Sequence, residues 1–365
     1  RRQRQMCIRD SHIYKSIACG VLLAMTATSC DLDYNPVDTY SDVTEGVNKT
    51  DEKPIFNSVQ DVETSMVTLH KKFRDRQEHW YVDKLLIGDA HSDNAYAGTT
   101  GAEVVPYETN SIEGSNSVLK RDWDRFLGDI AVANRIIVGC DQLKALSESE
   151  RGKYQSQAKI FRAMVMFDMV RLWGNFPVIT TVGGDITEDN VEEMYPTYFP
   201  PQNTAEEAYA QIEKDLTEAV ENPNTPTNDT SDKSILTKSV ARAMLAKVYA
   251  EKPLRDYAKV IKYADELAAD GFDLVEDFSD LWAYDTEKKD CRVRNTKEAI
   301  LEAHFPPGSG NWCTWMFGRN LSNWDESFTW AKWITPSRDL IRLYEEQGDT
   351  KRYNESVVWL SLIHI

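Results

Sequence analysis

One stretch limits the choice of fold more than any other: "AKIFRAMVMFDMVRLWG", Ala158–Gly174. Read as a helix, it is apolar on nearly every side, and its only charges are Lys159, Arg162, Asp168 and Arg171. A surface helix carries one apolar stripe, so a helix without a polar face has to be covered by neighbours on most sides. Gly174 stops it, and Pro177 keeps it from resuming. Upstream, Ser147 followed three residues later by Glu150 forms a capping box, so the helix is predicted to run from Glu148 to Trp173. Phe161, Met164, Phe167 and Val170 are predicted to lie in the main core. Hydrophobic residues make up 41% of the 365 positions, enough for a core of that size.

Other segments supply the neighbours. Ile55–Phe73 has Val59, Val62, Met66, Leu69 and Phe73 at helical spacing, and His79–Leu86 continues as a second helix. Gly88–Ser117 is rich in Gly, Ser, Thr and Asn and is predicted to be an irregular excursion. Leu119–Leu143 is amphipathic, with a stripe of Trp123, Phe126, Leu127, Ile130, Ala133 and Ile137. "FPVITT" after Gly174 suits a short extended piece. Thr204 and Glu207 open a capped helix to Val220. Glu221–Ser234 reads as a linker by composition. Thr237–Ala250 and Leu254–Ala269 are two further helices, with Ala241, Leu245, Ala246 and Tyr249 facing Tyr257, Ile261, Ala264 and Leu267. This hairpin resembles one tetratricopeptide unit. Ala299–Phe305 alternates and is predicted to be a short strand. With so few strands, the fold class is mainly α.

The N-terminus has a different character. Arg1, Arg2, Arg4, Arg9 and Lys15 stand against one acid, Asp10, although the whole chain has a net charge of −17. Lys15 followed by Ile17–Met25 reads as the charged and apolar parts of an export signal. The apolar run is much shorter than the roughly 20 residues of a spanning helix. Ala27-Thr28-Ser29 followed by Cys30 resembles a bacterial lipobox, with Ala27 where Leu is more usual. Cys30 would then be the first mature residue and carry the lipid; the alternative is an exported protein with an incidental cysteine. Acyl chains contribute about 0.8 kcal/mol per buried CH₂, so such an anchor holds durably. The expected layout is a signal and a non-native end over 1–29, the lipidated cysteine and tether over 30–54, an incomplete helical domain over 55–353, and a truncated end over 354–365. "MCIRDS" and "SLIHI" resemble translated sequencing-adaptor ends, so the chain is expected to be a fragment cut short at its C-terminus.

Charge and motifs narrow the function. The acidic balance argues against nucleic acid, which needs clustered Lys and Arg, and against adsorption of the folded body on anionic membranes. The sequence contains no GxSxG, GxGxxG or HExxH motif, and the histidines are scattered at 12, 70, 79, 91, 304 and 364. Cys140, Cys291 and Cys313 form no CxxC and have no nearby His pair; Cys140 reads as a small core residue. Asp31, Asp33 and Asn35 begin like a calcium loop, but Pro36 stands where Gly is needed and no Glu closes it, so a solvated tether is the better account. No metal or cofactor is expected. Five of the ten tryptophans fall between Trp312 and Trp333, in a segment rich in Gly, Pro and Asn. Covering the helical core accounts for Trp330 and Trp333. Trp312, Trp315 and Trp324 suit a sugar platform, where C–H faces stack on indole and amides bond hydroxyls.

Taken together, the chain resembles the SusD/RagB family of outer-membrane nutrient-binding lipoproteins. The resemblance rests on the lipobox at Cys30, "WDRFLGDIAVANRII", "AKIFRAMVMFDMVRLWGNFPVI", "AEEAYAQIEKDLTEAV" with "SVARAMLAKVYA", and "ITPSRDLIRLYEEQGDTKRY". In the last of these, Thr350 replaces the Pro of the family's Gly-Asp-Pro-Arg stretch. The resemblance implies tetratricopeptide-like helical hairpins with long irregular ligand-binding loops and few short strands. It also implies a non-enzymatic binder of oligosaccharides or other nutrients, anchored by lipid and exposed on the outer membrane. The implied partner is a SusC-like TonB-dependent transporter, over whose mouth the binder closes as a lid. In the family, the glycan site draws on the excursion before the third helix and on a loop in the second half. Matching places in this chain are Gly88–Gly98, with Asp93, Asn94 and Tyr96, and the tryptophan loop, with Trp312, Trp315 and Trp324. A structural helical-repeat adaptor and a surface glycoside hydrolase are the competing classes; the hydrolase would need two close carboxylates in a cleft.

Overall fold

The computed structural model describes residues 54–357, apart from 76–77, 98–102, 185, 187–189, 282–283, 286, 289 and 306–333. Cys30, Trp312, Trp315 and Trp324 lie outside the described residues, as does the calcium-like stretch at Asp31–Asp42. In chain order the elements are α1 (Val59–Asp75), a wide π-type turn (Glu78–Val82), α2 (Asp83–Gly88), β1 (Ala95–Ala97), α3 (Val105–Glu108), α4 (Ser117–Gln142) and α5 (Glu148–Trp173). Then follow α6 (Val191–Tyr198), α7 (Ala205–Glu221), α8 (Lys238–Ala250), α9 (Tyr257–Ala269), a 3₁₀ turn (Phe278–Leu281), β2 (Tyr284–Asp285), β3 (Asp290–Cys291), β4 (Ile334–Pro336), α10 (Arg338–Gln347) and α11 (Thr350–Ser356). The fold is mainly α, as the hydrophobic periodicity requires.

The all-round apolar helix is the centre of the body. α5 packs between α4 and α7 and also touches α1 and α8. Phe161, Phe167 and Val170 are buried, and Met164 is partly buried against the same core. The four charges of its apolar stretch, Ala158–Gly174, do not reach open water alone. Lys159 pairs with Glu218 at 2.7 Å, Arg162 with Asp215 at 2.7 Å, Asp168 with Lys84 at 2.6 Å and Arg171 with Glu251 at 3.1 Å. Each is thus a tie to a neighbouring segment. Both expected capping boxes form: the Ser147 hydroxyl accepts from the Glu150 N–H, and the Thr204 hydroxyl accepts from the Glu207 N–H. α1 begins later than its apolar pattern does, because the Asp61 carboxylate accepts from the N–H groups of Asn57 and Ser58 and fixes the entry there. Cys140 is fully buried, and burial pushes its thiol up to about 12, which leaves it inert. Gly139 lets the Phe56 ring lie against α4; a Cβ there would come within 2.4 Å of the ring.

Three expectations are corrected. α9 turns a different face to α8. Tyr263 stacks on Tyr249, with centroids 6.1 Å apart and rings 3° from parallel, and Val260 packs beside it. Tyr257 and Ile261 are consequently 59% and 62% exposed, and Ala264 is exposed too. The segment 221–234 is not a free linker: Thr225 and Lys233 are buried, Asn222 donates to the Gly152 carbonyl at 3.0 Å and Thr225 to the Ala219 carbonyl at 2.6 Å. Asn222 and Thr225 thus satisfy backbone groups of the helical body. Ala299–Phe305 forms no strand, since its one long-range backbone bond, from the Glu302 N–H to the Lys233 carbonyl at 2.8 Å, has no second strand to extend it.

Candidate ligand-binding site

The excursion after α2 is built from short-range hydrogen bonds. The N–H groups of Asp89 and Ala90 donate back to the Leu85 carbonyl, the Ser92 hydroxyl to the Asp89 carbonyl at 2.9 Å, and the Asn94 N–H to the Ser92 hydroxyl at 3.2 Å. The chain then enters β1, which pairs antiparallel with β4 in the register Ala95↔Pro336, Tyr96↔Thr335, Ala97↔Ile334. Just beyond β4, Ser337 is buried. Its N–H donates to the Asn94 carbonyl at 2.9 Å and its hydroxyl to the Asp93 carbonyl at 2.5 Å, while the same hydroxyl accepts from the Leu340 N–H and caps α10. On the other side, Glu108 accepts from the Ala97 N–H at 2.8 Å.

This arrangement holds the backbone and leaves the side chains outward. Alternation along β1 puts Ala95 inside and Tyr96 outside, where Tyr96 is 39% exposed. Asp93 and Asn94 are exposed as well. The three candidates therefore form one short, fixed, outward-facing row. β4 directly follows the segment that contains Trp312, Trp315 and Trp324, so β1–β4 pairing ties that segment's exit to the row.

The row rests on a small second core of Leu86, Ala90, Val104, Tyr107 and Val118. Asn116 joins its parts: its side-chain carbonyl caps α4 through the Val118 N–H at 3.0 Å and accepts from the Tyr107 hydroxyl at 3.3 Å, and its amide donates to the Glu103 carbonyl at 3.1 Å. Below lies a buried pair of acids, Asp83 and Asp122. Arg121 bonds the Asp83 carboxylate. Burial, then the adjacent Asp83 charge and a hydrogen bond to Asp83, push the Asp122 carboxyl up to about 9. A proton on Asp122 shared with Asp83 lets both acids sit in one apolar place. Burial, followed by the charges of these acids, also raises the Tyr107 phenol.

The proton has a measurable consequence. The folded protein holds it in a range where the unfolded chain has released it, so stability falls as pH rises from the ordinary carboxylate range toward 9. Asp122→Asn keeps the donor and removes the titration. Urea midpoints measured across this range should show a flatter pH dependence and a gain on the order of 2 kcal/mol at pH 8. A slope equal to that of the parent would mean that Asp122 is ionised in the folded state.

Among the described residues, no group of three His, Cys, Asp or Glu side chains is placed to hold a metal ion, and no helix is long and apolar enough to cross a membrane. α6 gave no clear helical signal in the sequence, because Pro196 lies inside it; none of its residues is buried.

Comparison with known proteins matches this architecture to one family. The SusD-like family described as "Starch-binding associating with outer membrane" matches residues 40–250. A SusD-like protein from Bacteroides ovatus is 25% identical over 309 residues, which is 81% of this chain and 50% of the relative. The chain thus spans about half the length of that curated relative. A SusD superfamily structure from Bacteroides vulgatus has a TM-score of 0.61 at 15% identity, over 79% of this chain and 58% of that one. Surface glycan-binding protein A from Bacteroides thetaiotaomicron, solved in complex with laminarihexaose, has a TM-score of 0.51 at 16% identity, over 62% and 46%. These two likenesses concern the fold alone. The family match runs from before α1 to the end of α8, more than half of the 365 residues, and on that ground the chain belongs to the SusD-like family.

Proposed function

We propose that this chain is a surface-exposed, lipid-anchored protein that binds oligosaccharides, leaves them chemically unchanged, and delivers them to a SusC-like TonB-dependent transporter in the outer membrane. One observation carries the reading. In a chain of this family, an outward row of Asp93, Asn94 and Tyr96 is clasped to the residues that follow the tryptophan segment. Sugars need a few fixed donors and acceptors and one or two flat faces. The row offers a carboxylate, an amide and a phenol ring on a backbone that does not have to be ordered on binding; the segment before β4 contributes Trp312, Trp315 and Trp324 by sequence. The laminarihexaose complex of a protein with the same fold supports a neutral glycan as ligand. Such sites bind in the micromolar to millimolar range, about 4–8 kcal/mol.

Calorimetric titration of the chain with laminarihexaose and soluble starch tests this. Tyr96→Ala, Trp312→Ala, Trp315→Ala and Trp324→Ala should each be compared with the parent. At least one ring loss should weaken binding by roughly 1–3 kcal/mol, as removal of a stacking face does elsewhere, and the recovered sugars should be intact. Unchanged affinity in all four variants, with intact folds, would place the site elsewhere.

Anchoring at Cys30 keeps the binder near its transporter, where tethering raises the effective concentration to roughly millimolar, so that a modest interface suffices. In a cell that exports it, Cys30→Ala should take up no labelled palmitate and should leave the membrane fraction. Continued labelling of the variant would rule out Cys30 as the anchor.

A further inference from the structure

A second part of the molecule has a shape that the packing does not account for. The chain leaves the body at Phe176 and returns at Asn203, where the Asn203 N–H donates to the buried Phe176 carbonyl at 2.9 Å and the Asn203 side chain accepts from the Val178 N–H at 2.9 Å. On this closed excursion sits α6, with Val191, Tyr195, Tyr198 and Phe199 on one side at helical spacing. That spacing is the apolar stripe by which a helix ordinarily docks on its own core. Here it faces out: Tyr195, Tyr198 and Phe199 are 58%, 45% and 66% exposed.

The rings are nevertheless held. Tyr195 and Phe199 stack on each other, with centroids 4.7 Å apart and planes 28° from parallel. The Tyr198 hydroxyl donates to the Gly184 carbonyl at 2.6 Å, and its ring lies so close to Gly183 that a Cβ there would come within 2.9 Å. A set of fixed rings loses little rotamer freedom when something lies on it. Charge and size decide what that is. The chain has no Lys or Arg between Arg171 and Lys214, while Glu192 and Glu193 stand in the first turn of α6. Anionic lipid, phosphate and uronic acids therefore find no cation on this excursion and two carboxylates beside the rings. Three half-exposed rings present roughly 300 Å², well short of the about 800 Å² per partner that a stable interface with an untethered protein uses. A neutral sugar needs no counter-charge and fits on two or three rings.

We infer that the exposed ring face of α6, formed by Tyr195, Tyr198 and Phe199, is a contact site for neutral glycan chains, separate from the Asp93–Tyr96 row. It rests on the proposed glycan-binding role and extends it: a second foothold favours long chains over short ones, because the second contact is made within the complex.

Native electrophoresis of the full chain in gels containing laminarin or soluble starch tests the inference. The variants are Tyr195→Ala/Phe199→Ala, Tyr96→Ala and the triple combination, with Tyr195→Phe/Phe199→Tyr as the ring-retaining control. α6 buries no side chain, so the double variant should melt with the parent. Its apparent affinity for the polymer should fall roughly tenfold, that of the triple variant further, and the control should keep parental retardation. Retardation of the double variant equal to that of the parent overturns the second site and leaves the first standing. Retardation lost in the double variant but untouched by Tyr96→Ala sinks the first site and leaves this one. No retardation of the parent by either glucan removes both. Self-association of the parent in sedimentation, abolished in the double variant, would make the face a protein contact and overturn the inference.

Discussion

Replacing Arg162 with methionine is expected to cost about 3–5 kcal/mol, the loss typical of breaking a buried ion pair from one side. Arg162 lies on α5 and is almost fully buried. Its Nε and Nη2 donate to the two oxygens of Asp215 on α7, at 2.8 and 2.7 Å, and its Nη1 donates to the side-chain oxygen of Asn134 on α4 at 2.7 Å. Asn134 in turn donates to the carbonyls of Ile179 and Thr181, and Gln211 adds a third donor to Asp215 at 2.8 Å. Methionine fills the space but leaves the Asp215 carboxylate dry and without its cation, and it frees the tie that holds the strand-like piece after Gly174. Desolvation therefore dominates the loss, and a second change should relieve it: Arg162→Met/Asp215→Leu should recover most of the stability lost by either single variant. Urea unfolding of the four proteins reads the coupling. Simple addition of the two losses would show that the charges do not act as a pair.

Phe161→Ala is expected to remove a similar amount, about 3–5 kcal/mol. Phe161 is fully buried at the meeting of α1, the wide turn and α5. Its ring meets Phe73 edge-on at 5.3 Å and Trp80 at 5.9 Å, while Phe73 and Trp80 meet at 4.8 Å. Alanine removes the transfer energy of the ring, opens a hole among rigid neighbours, and deletes two of the three aromatic pairs. Phe161→Leu keeps most of the volume and should cost under about 1.5 kcal/mol. The exposed Val67 serves as reference, and a Phe161→Ala loss no larger than that of Val67→Ala would take this ring out of the core.

Patterns confined to one segment were legible in the sequence. The capping boxes at Ser147 and Thr204 lie within four residues of chain, and a helix without a polar face can only be buried. What needed two distant segments was not legible. The four charges within Ala158–Gly174 read as interruptions of an apolar run, although each has a partner; Arg162 and Asp215 are 53 residues apart. α9 carries apolar residues on two sides, and only the Tyr249–Tyr263 stack decides which side goes in. β1 and β4 span three residues each, too short for alternation to register. The chemistry of Asp93, Asn94 and Tyr96 is legible in the sequence; the outward row they form depends on Ser337, which no local pattern connects to them. No local pattern marks the rings of α6, because Pro196 disguises the helix and an apolar stripe ordinarily faces inward.

The clasp also sets an order of events. Asp93 and Ser337 are separated by 244 residues, whereas the contacts within α4–α5 and α8–α9 are local. Local contacts close early and distant ones late, so β1–β4 pairing belongs to the last stage of folding. During synthesis the Asp93–Tyr96 row must wait until the chain beyond Ser337 has been made. Only its own small core around Leu86 and Tyr107 supports it in that interval. The same two three-residue strands should be among the first to open in the finished molecule, and amide exchange at Ser337, whose N–H bonds the Asn94 carbonyl across the clasp, would report that opening before any helix frays at its centre.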